Sequence, residues 1–343
     1  MHRWTEARAT SPGRLWPWLR LAAGVLVLAF LVVRLGAGPF LDGVRRVSPA
    51  SLAAAALITA GTTSLSAWRW RLIARGLGLD IPMRTAIASY YRSQLLNSTL
   101  PSGVLGDVHR GVRHGQESGE VGLALRSVVW DRAAGQVVQV ALATVVLLAW
   151  PSPIRPAMEV VGGLVVAVAV AVVLVALAVP HEGLSWPARV TQTIRADLRT
   201  TLLTWERGPA VVAASAAVVA GHVTVFLVAA GADSWTSTRA LLPLALIVML
   251  SMSVPTNIGG WGPREGVAAW AFAAAGLGAT QGVEVATTYG VLSLVATLPG
   301  LIALFVPSEP GADTTLATDA GLSDEDEEQP VLVGIGPRGA AHG

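Results

Sequence analysis

The chain has 343 residues, of which 53% are hydrophobic and 13% charged, with a formal net charge of +2 and no cysteine. A soluble domain carries about 25% charge; half that value leaves too little polar surface for a water-borne globule, which excludes a disordered protein, a coiled coil and a typical cytosolic enzyme and favours a polytopic membrane protein. All 24 basic residues are arginine, which removes lysine nucleophiles, Schiff bases and P-loop lysines, while the lack of cysteine removes disulfides, thiol catalysis, iron–sulfur clusters and cysteine zinc sites.

The first apolar run, residues 17–33, follows Arg3, Arg8 and Arg14 and contains Arg20. No A-x-A cleavage site follows it and further runs come after, so it reads as a retained signal anchor. Runs at 48–67, 127–149, 158–179, 209–231, 240–254 and 283–306 each reach about 25–35 Å as helix, enough to cross the hydrocarbon core. Together they predict seven full spans. Two stretches are interrupted. Residues 84–100 carry Tyr90, Arg92, Gln94 and Asn97 and run into Pro101 and Gly103; residues 255–278 open with a Pro/Gly-rich turn before a short apolar helix. Both read as broken or re-entrant elements, because irregular backbone at membrane depth must be buried in protein or line a wet cavity. An eighth span results if the second crosses.

The expected fold is therefore all-α, a polytopic integral membrane protein. Residues 1–16 form a cytoplasmic segment, 17–306 the transmembrane domain, and 307–343, with the acidic run at 324–328, a disordered cytoplasmic tail. Sixteen arginines in the N-terminal segment and in the stretches around Arg75, Arg113 and Arg195 fall on one side, against five near Arg45, Arg155 and Arg239 on the other. That bias predicts both termini in the cytoplasm and a plasma-membrane location.

Three constellations carry chemistry. The first runs from Leu100 to Arg110. Pro101 ends the preceding helix, and Gly103 and Gly106 permit tight turns and close approach. Asp107 and Arg110, three apart, share a helical face, where Asp107 caps the helix or pairs with Arg110; a guanidinium there suits phosphate. The plainer alternative is a cytoplasmic turn with one surface ion pair. The second constellation spans residues 255–266, whose four glycines and two prolines forbid a continuous helix. Pro255, Gly259, Gly260 and Gly262 shape its backbone. Pro263 fits a first helical turn and Glu265 then meets the positive end of the dipole. Asn257, Arg264 and the amides of a half-helix N-terminus offer a place for an anionic headgroup; the alternative is an ordinary interhelical turn.

The third constellation is Asp131 and Arg132, after Trp130, about one turn inside the 127–149 run. A charge at mid-membrane costs about 2.5–3.5 kcal/mol, so these two are expected either to snorkel to the interface or to join Arg110, Arg264 or Glu265 in an ion-pair cluster. Being adjacent, they face separate partners. His109 and His114 have no metal-ligand spacing, and His222 reads as a helix–helix hydrogen bond. No HExxH, GxSxG or P-loop is present, so no catalytic residue, metal or cofactor is expected.

Together these motifs resemble the flippase-like transmembrane domain of lysylphosphatidylglycerol synthases, including its stand-alone members. The family's LP-x-x-x-G-D-x-x-R segment is matched by Leu100, Pro101, Gly106, Asp107 and Arg110; its acidic–arginine pair by Asp131 and Arg132; its P-x-x-x-G-G-x-G-x-R-E segment by Pro255, Gly259, Gly260, Gly262, Arg264 and Glu265. Asp131 stands where glutamate is commoner, and Pro263 where an aliphatic residue is usual. No soluble aminoacyltransferase domain follows, so lysyl transfer is not carried over. The resemblance implies binding and translocation of an anionic lipid or lipid-linked precursor, with an anionic phospholipid or polyprenyl-linked lipid as the ligand. It also implies a second copy of the chain or an envelope-biosynthesis enzyme as partner, and no nucleic acid. Two other classes stay open: an intramembrane transferase acting on a lipid phosphate, with Asp107 or Glu265 as acid–base group, and a non-catalytic scaffold for an envelope-lipid enzyme.

Overall fold

The computed structural model describes residues 26, 29–30, 32–100, 103–149, 186–232, 234–253 and 261–305. Most of the 17–33 run, all of the 158–179 run and the acidic tail lie outside the described residues. So do Pro101, Pro255, Asn257, Gly259 and Gly260. Among the described residues every regular element is helical: α1 (Gly38–Arg45), α2 (Pro49–Gly76), α3 (Met83–Thr99), α4 (Leu105–Ser118), α5 (Val121–Ala149), α6 (Trp186–Thr201), α7 (Gly208–Ala230), α8 (Trp235–Met252), α9 (Pro263–Ala274), α10 (Ala279–Ala296) and α11 (Pro299–Phe305).

Among the described residues four helical stretches are long and apolar enough to cross a bilayer: α2, α5, α7, and α10 continued by α11; α8 is a shorter apolar helix. Two begin earlier or end later than their apolar runs. The apolar run of α2 ends near Ala67, yet the helix continues for nine residues to Gly76, carrying Arg69, Arg71 and Arg75. The α5 helix starts at Val121, so Asp131 lies ten residues in, about 15 Å along the axis, rather than one turn inside. Hydropathy marks where lipid is tolerated, whereas a helix also continues wherever its charged side chains find protein partners.

Local chemistry fixes the helix starts. Pro49 sits in the first turn of α2, and Ser48 and Ser51 exchange side-chain-to-backbone hydrogen bonds of 3.1 and 2.9 Å, satisfying amides that have no intrahelical partner. The main core lies among α2, α7, α8, α9 and α10, around Phe226, Phe272 and Tyr289. The ring of Phe226 lies 6.4 Å from Phe272 and 5.9 Å from Tyr289, in tilted pairs. Where α2 and α7 cross, Gly221 removes the side chain that would otherwise meet Thr62: a Cβ there would lie 2.2 Å from the Thr62 methyl. Close backbone approach at small residues is how helices associate where lipid offers no hydrophobic driving force.

The bundle has two distinguishable ends. At one, α1 is tied to the start of α10 by Arg46–Glu284 at 2.5 Å and by the Thr288 hydroxyl donating to the Gly43 carbonyl at 2.8 Å. At the other, α6 holds the end of α2 and the start of α5. There Arg126 Nε and Trp130 Nε1 donate to Asp197 at 2.8 and 2.9 Å, and Gly76 packs on Thr200 and Thr201. The α3–α4 pair enters from the α6 end, and the α8–α9 pair from the α1 end. At twelve residues, α9 is about 18 Å long, too short to cross. This is the half-helix that the Pro/Gly-rich segment predicts.

Replacing Gly221 with leucine is expected to force α2 and α7 apart, lowering stability by about 1–3 kcal/mol. A clear fall in the melting temperature of the detergent-purified protein checks this; an unchanged value rejects close α2–α7 packing.

Candidate functional site

Along one face of α2, the buried residues Thr59, Thr62, Thr63, Ser66 and Arg69 recur at three- and four-residue spacing. Arg69 ends this stripe. It donates from Nε to Asp131 Oδ1 at 2.8 Å, from Nη1 to the Ser215 hydroxyl at 3.1 Å and from Nη2 to the Tyr90 hydroxyl at 3.4 Å. Asp131 is fully buried; it also accepts from the Tyr90 hydroxyl and, at 3.1 Å, from Arg110 Nη2. One carboxylate therefore ties α5 to α2, α3 and α4, and Ser215 extends the network to α7. The Arg110 guanidinium lies against the rings of Trp70 and Tyr90, at 4.4 and 4.0 Å. Its Nε and Nη1 have no hydrogen-bond partner among the described residues, and the ring faces supply the compensating electrostatics.

Asp107 is the second carboxylate. It accepts from the Ser93 hydroxyl at 2.8 Å, Asn97 Nδ2 at 2.9 Å and Arg110 Nη2 at 3.2 Å, and forms an ion pair with Arg132 Nη1 at 3.0 Å. This requires α4 to press against α3 at Gly106, where a Cβ would stand 2.1 Å from the Ser93 carbonyl oxygen. The Gly106 amide donates to Asn97 Oδ1 at 2.8 Å. Arg132 also lies 3.4 Å from the Gly103 carbonyl through both terminal nitrogens. Its side chain is 41% exposed, in contrast to Arg69 and Arg110.

The second basic group stands across the bundle. Arg264, 1% exposed, gives Nε and Nη2 to Glu265 Oε1 at 2.8 and 2.5 Å. Glu265 Oε2 accepts the Gly262 amide at 2.7 Å, at a backbone angle (φ +96°) that disfavours other residues. The Arg264 guanidinium lies 4.4 Å from the Trp261 ring. Gly290 makes room for it, since a Cβ there would come within 2.2 Å of Nη2.

Two cavities of about 300 Å³ each adjoin these groups. The first is lined by Arg69, Asp107 and Arg132 and the second by Gly103, Trp261 and Arg264. Gln94, Asn97, Arg132, His222, Met252 and Tyr289 belong to both linings. The described tips of the two interrupted elements thus share one chamber wall.

Several expectations change in detail. Asp131 and Arg132 do not snorkel; Asp131 is enclosed and neutralised by Arg69 and Arg110, because the longer α5 carries it into the bundle. The expected cluster forms with Arg110, but Arg264 and Glu265 stay outside it and pair with each other, adjacency being overcome because both reach over the helix N-terminus. The half-helix N-terminus is closed by its own Glu265, which occupies the amide at Gly262. Of the candidate residues, Asp107, Arg132 and Arg264 line the cavities, whereas Arg110, Asp131 and Glu265 line neither. The sequence places Arg69 among the arginines that follow the 48–67 run and Tyr90 only within an interrupted stretch; the hydroxyl stripe at helical spacing leading to Arg69 is the signal that marks it as buried. Among the described residues no group of three metal-ligating side chains occurs.

Over residues 18–300 the chain matches the family model described as the lysylphosphatidylglycerol synthase TM region. No curated protein and no solved structure matches it.

Arg264→Ala strands the buried Glu265 charge and is expected to cost roughly 3–5 kcal/mol. The double variant Arg264→Leu with Glu265→Gln leaves no lone charge and should recover most of that loss. Melting temperatures of both in detergent check this; a stable single variant would mean that the pair is not what holds Arg264 in place.

Proposed function

The chain belongs to the lysylphosphatidylglycerol synthase transmembrane-region family, and from that membership and its chamber we propose that it binds the headgroup of an anionic lipid and passes it between leaflets. The observation that carries this is Arg132. Four arginines (Arg69, Arg110, Arg132 and Arg264) meet three carboxylates (Asp107, Asp131 and Glu265). The arginine in excess is also half-exposed, on the wall common to both cavities. Its planar fork suits a phosphate. Arg69, held rigidly by Asp131, and Arg264, with Nη1 not given to Glu265, add positive potential on either side.

The architecture fits translocation. Hairpins entering from opposite ends and meeting at a polar chamber supply a headgroup path at membrane depth while acyl chains stay in lipid. Broken helices around a midplane site are the common transporter solution to this problem. A transferase acting on a lipid phosphate needs Asp107 or Glu265 free to exchange a proton. Asp107 already accepts three hydrogen bonds and pairs with Arg132, and both Glu265 oxygens are engaged, which favours the translocation reading.

In this reading residues 17–306 are the membrane domain, in the plasma membrane, with both termini cytoplasmic. Arg69, Arg92 and Arg110 are buried in the bundle and leave the loop count; thirteen of the sixteen remain against five, and the bias keeps its sign.

Arg132→Ala should abolish binding of phosphatidylglycerol to the purified protein and its flipping in proteoliposomes. The melting temperature should stay close to that of the parent, because a part-exposed pair contributes about 1 kcal/mol or less. Arg132→Lys should restore only part of the binding. Retained flipping in Arg132→Ala rejects the assignment. For orientation, a cysteine at Gly38 should react with an impermeant reagent added to intact cells and one at Arg75 should not; the opposite pattern reverses the topology.

A further inference from the structure

The chamber's neutral polar groups say more about the ligand than its charges do. On α5, Arg132, Gln136 and Gln139 lie four and three residues apart and so share one face. All three line the first cavity. The stripe runs about 10 Å along the helix, in one of the four helices apolar enough to cross a membrane. Neither glutamine amide has a hydrogen-bond partner among the described residues. The Ser66 and Ser253 hydroxyls line the same cavity, and Gln94, whose carbonyl oxygen accepts from Thr63 at 3.0 Å, keeps its NH₂. Unclaimed amides at such depth are costly unless something polar meets them.

Among the described residues the carboxylates beside the chamber, which would suit a cationic headgroup, are already taken. Asp107, Asp131 and Glu265 are saturated by the protein's own donors. The rings of Trp70 and Tyr90 lie against Arg110, and the ring of Trp261 against Arg264. The excess of one positive charge matches the single charge of a phosphodiester better than the higher charge of a phosphomonoester.

From this we infer that the headgroup is a phosphodiester-linked polyol, such as a sugar, inositol or glycerol, with the phosphate at Arg132 and the hydroxyls along Gln136 and Gln139. The inference rests on the lipid-binding reading above and names its substrate class. Glutamine amides both donate and accept, and so read vicinal hydroxyls, which also do both. An ammonium would meet amide donors beside the half-exposed Arg132.

The full chain in neutral detergent is titrated with phosphatidylinositol, phosphatidylglycerol, phosphatidic acid and phosphatidylethanolamine, with bound lipid counted by native mass spectrometry. Water-soluble glycerophosphoinositol, a phosphodiester without acyl chains, is the arm that separates a lipid from a free phosphate ester. The expected order is phosphatidylinositol, then phosphatidylglycerol, then phosphatidic acid, with phosphatidylethanolamine weakest. In Gln136→Leu/Gln139→Leu the preference for phosphatidylinositol over phosphatidic acid should fall roughly tenfold. The milder Gln136→Ala and Gln139→Ala serve if the double variant does not fold. Equal binding of phosphatidylinositol and phosphatidic acid, with both lost in Arg132→Ala, overturns the polyol inference and leaves the anionic-lipid reading intact. A preference for phosphatidylethanolamine overturns the polyol inference too. Binding of none of these lipids overturns the underlying reading. Glycerophosphoinositol binding as tightly as phosphatidylinositol also overturns the lipid reading, while the polyol chemistry survives.

Discussion

The buried Asp131 carboxylate is the constraint around which the rest of the molecule is arranged. An uncompensated charge in a membrane-spanning bundle is unstable, and two arginines from different helices, with the Tyr90 hydroxyl, converge on it. Each of those partners brings its own element. Arg69 requires α2 to remain helical well past its apolar run; Arg110 requires α4 to fold back under α3, which only Gly106 permits; Tyr90 fixes the rotation of α3. Satisfying one charge thus sets the relative positions of four helices, and Asp107 and Arg132 are positioned as a consequence.

That arrangement separates two kinds of arginine. Arg69, Arg110 and Arg264 are structural cations: each is enclosed, bonded to carboxylates or covered by rings, and each is given room by a glycine or a small residue nearby. Arg132 differs in its exposure, with Asp107 as its one carboxylate partner among the described residues. Asp107 is already engaged by Arg110, Ser93 and Asn97, so Arg132 is only loosely claimed and keeps a face toward the chamber. The site proposed here needs no flexible element. The fixed cations supply potential and the exposed one supplies contact.

The α9 half-helix follows a similar logic at the other side of the chamber. Its N-terminus points where an anion is attracted, but Glu265 fills that position and in turn holds Arg264. The helix dipole, the carboxylate and the guanidinium form a closed local unit with Trp261 stacked on it. What this segment offers the chamber is therefore the edge of an arginine already compensated, and not bare backbone amides.

Composition alone determined that the chain is helical and membrane-embedded, because so few charges leave no soluble alternative and period-free apolar runs about 20 residues long have no other stable use. The interruptions at Gly103 and Gly262 and the pairing of Asp107 with Arg110 were equally legible, since proline, glycine and three-residue spacing act locally. The tertiary structure alone decided which charges meet. Arg69 is indistinguishable in sequence from the loop arginines Arg71 and Arg75; its burial depends on α5 bringing Asp131 alongside, sixty-two positions away. Whether Arg264 faces a ligand or its own neighbour depends on the rotation of α9 against Gly290. Long-range ion pairing is set by how helices pack, and one-dimensional pattern carries no record of helix rotation, so the separation of holding arginines from the contacting one emerges only in three dimensions.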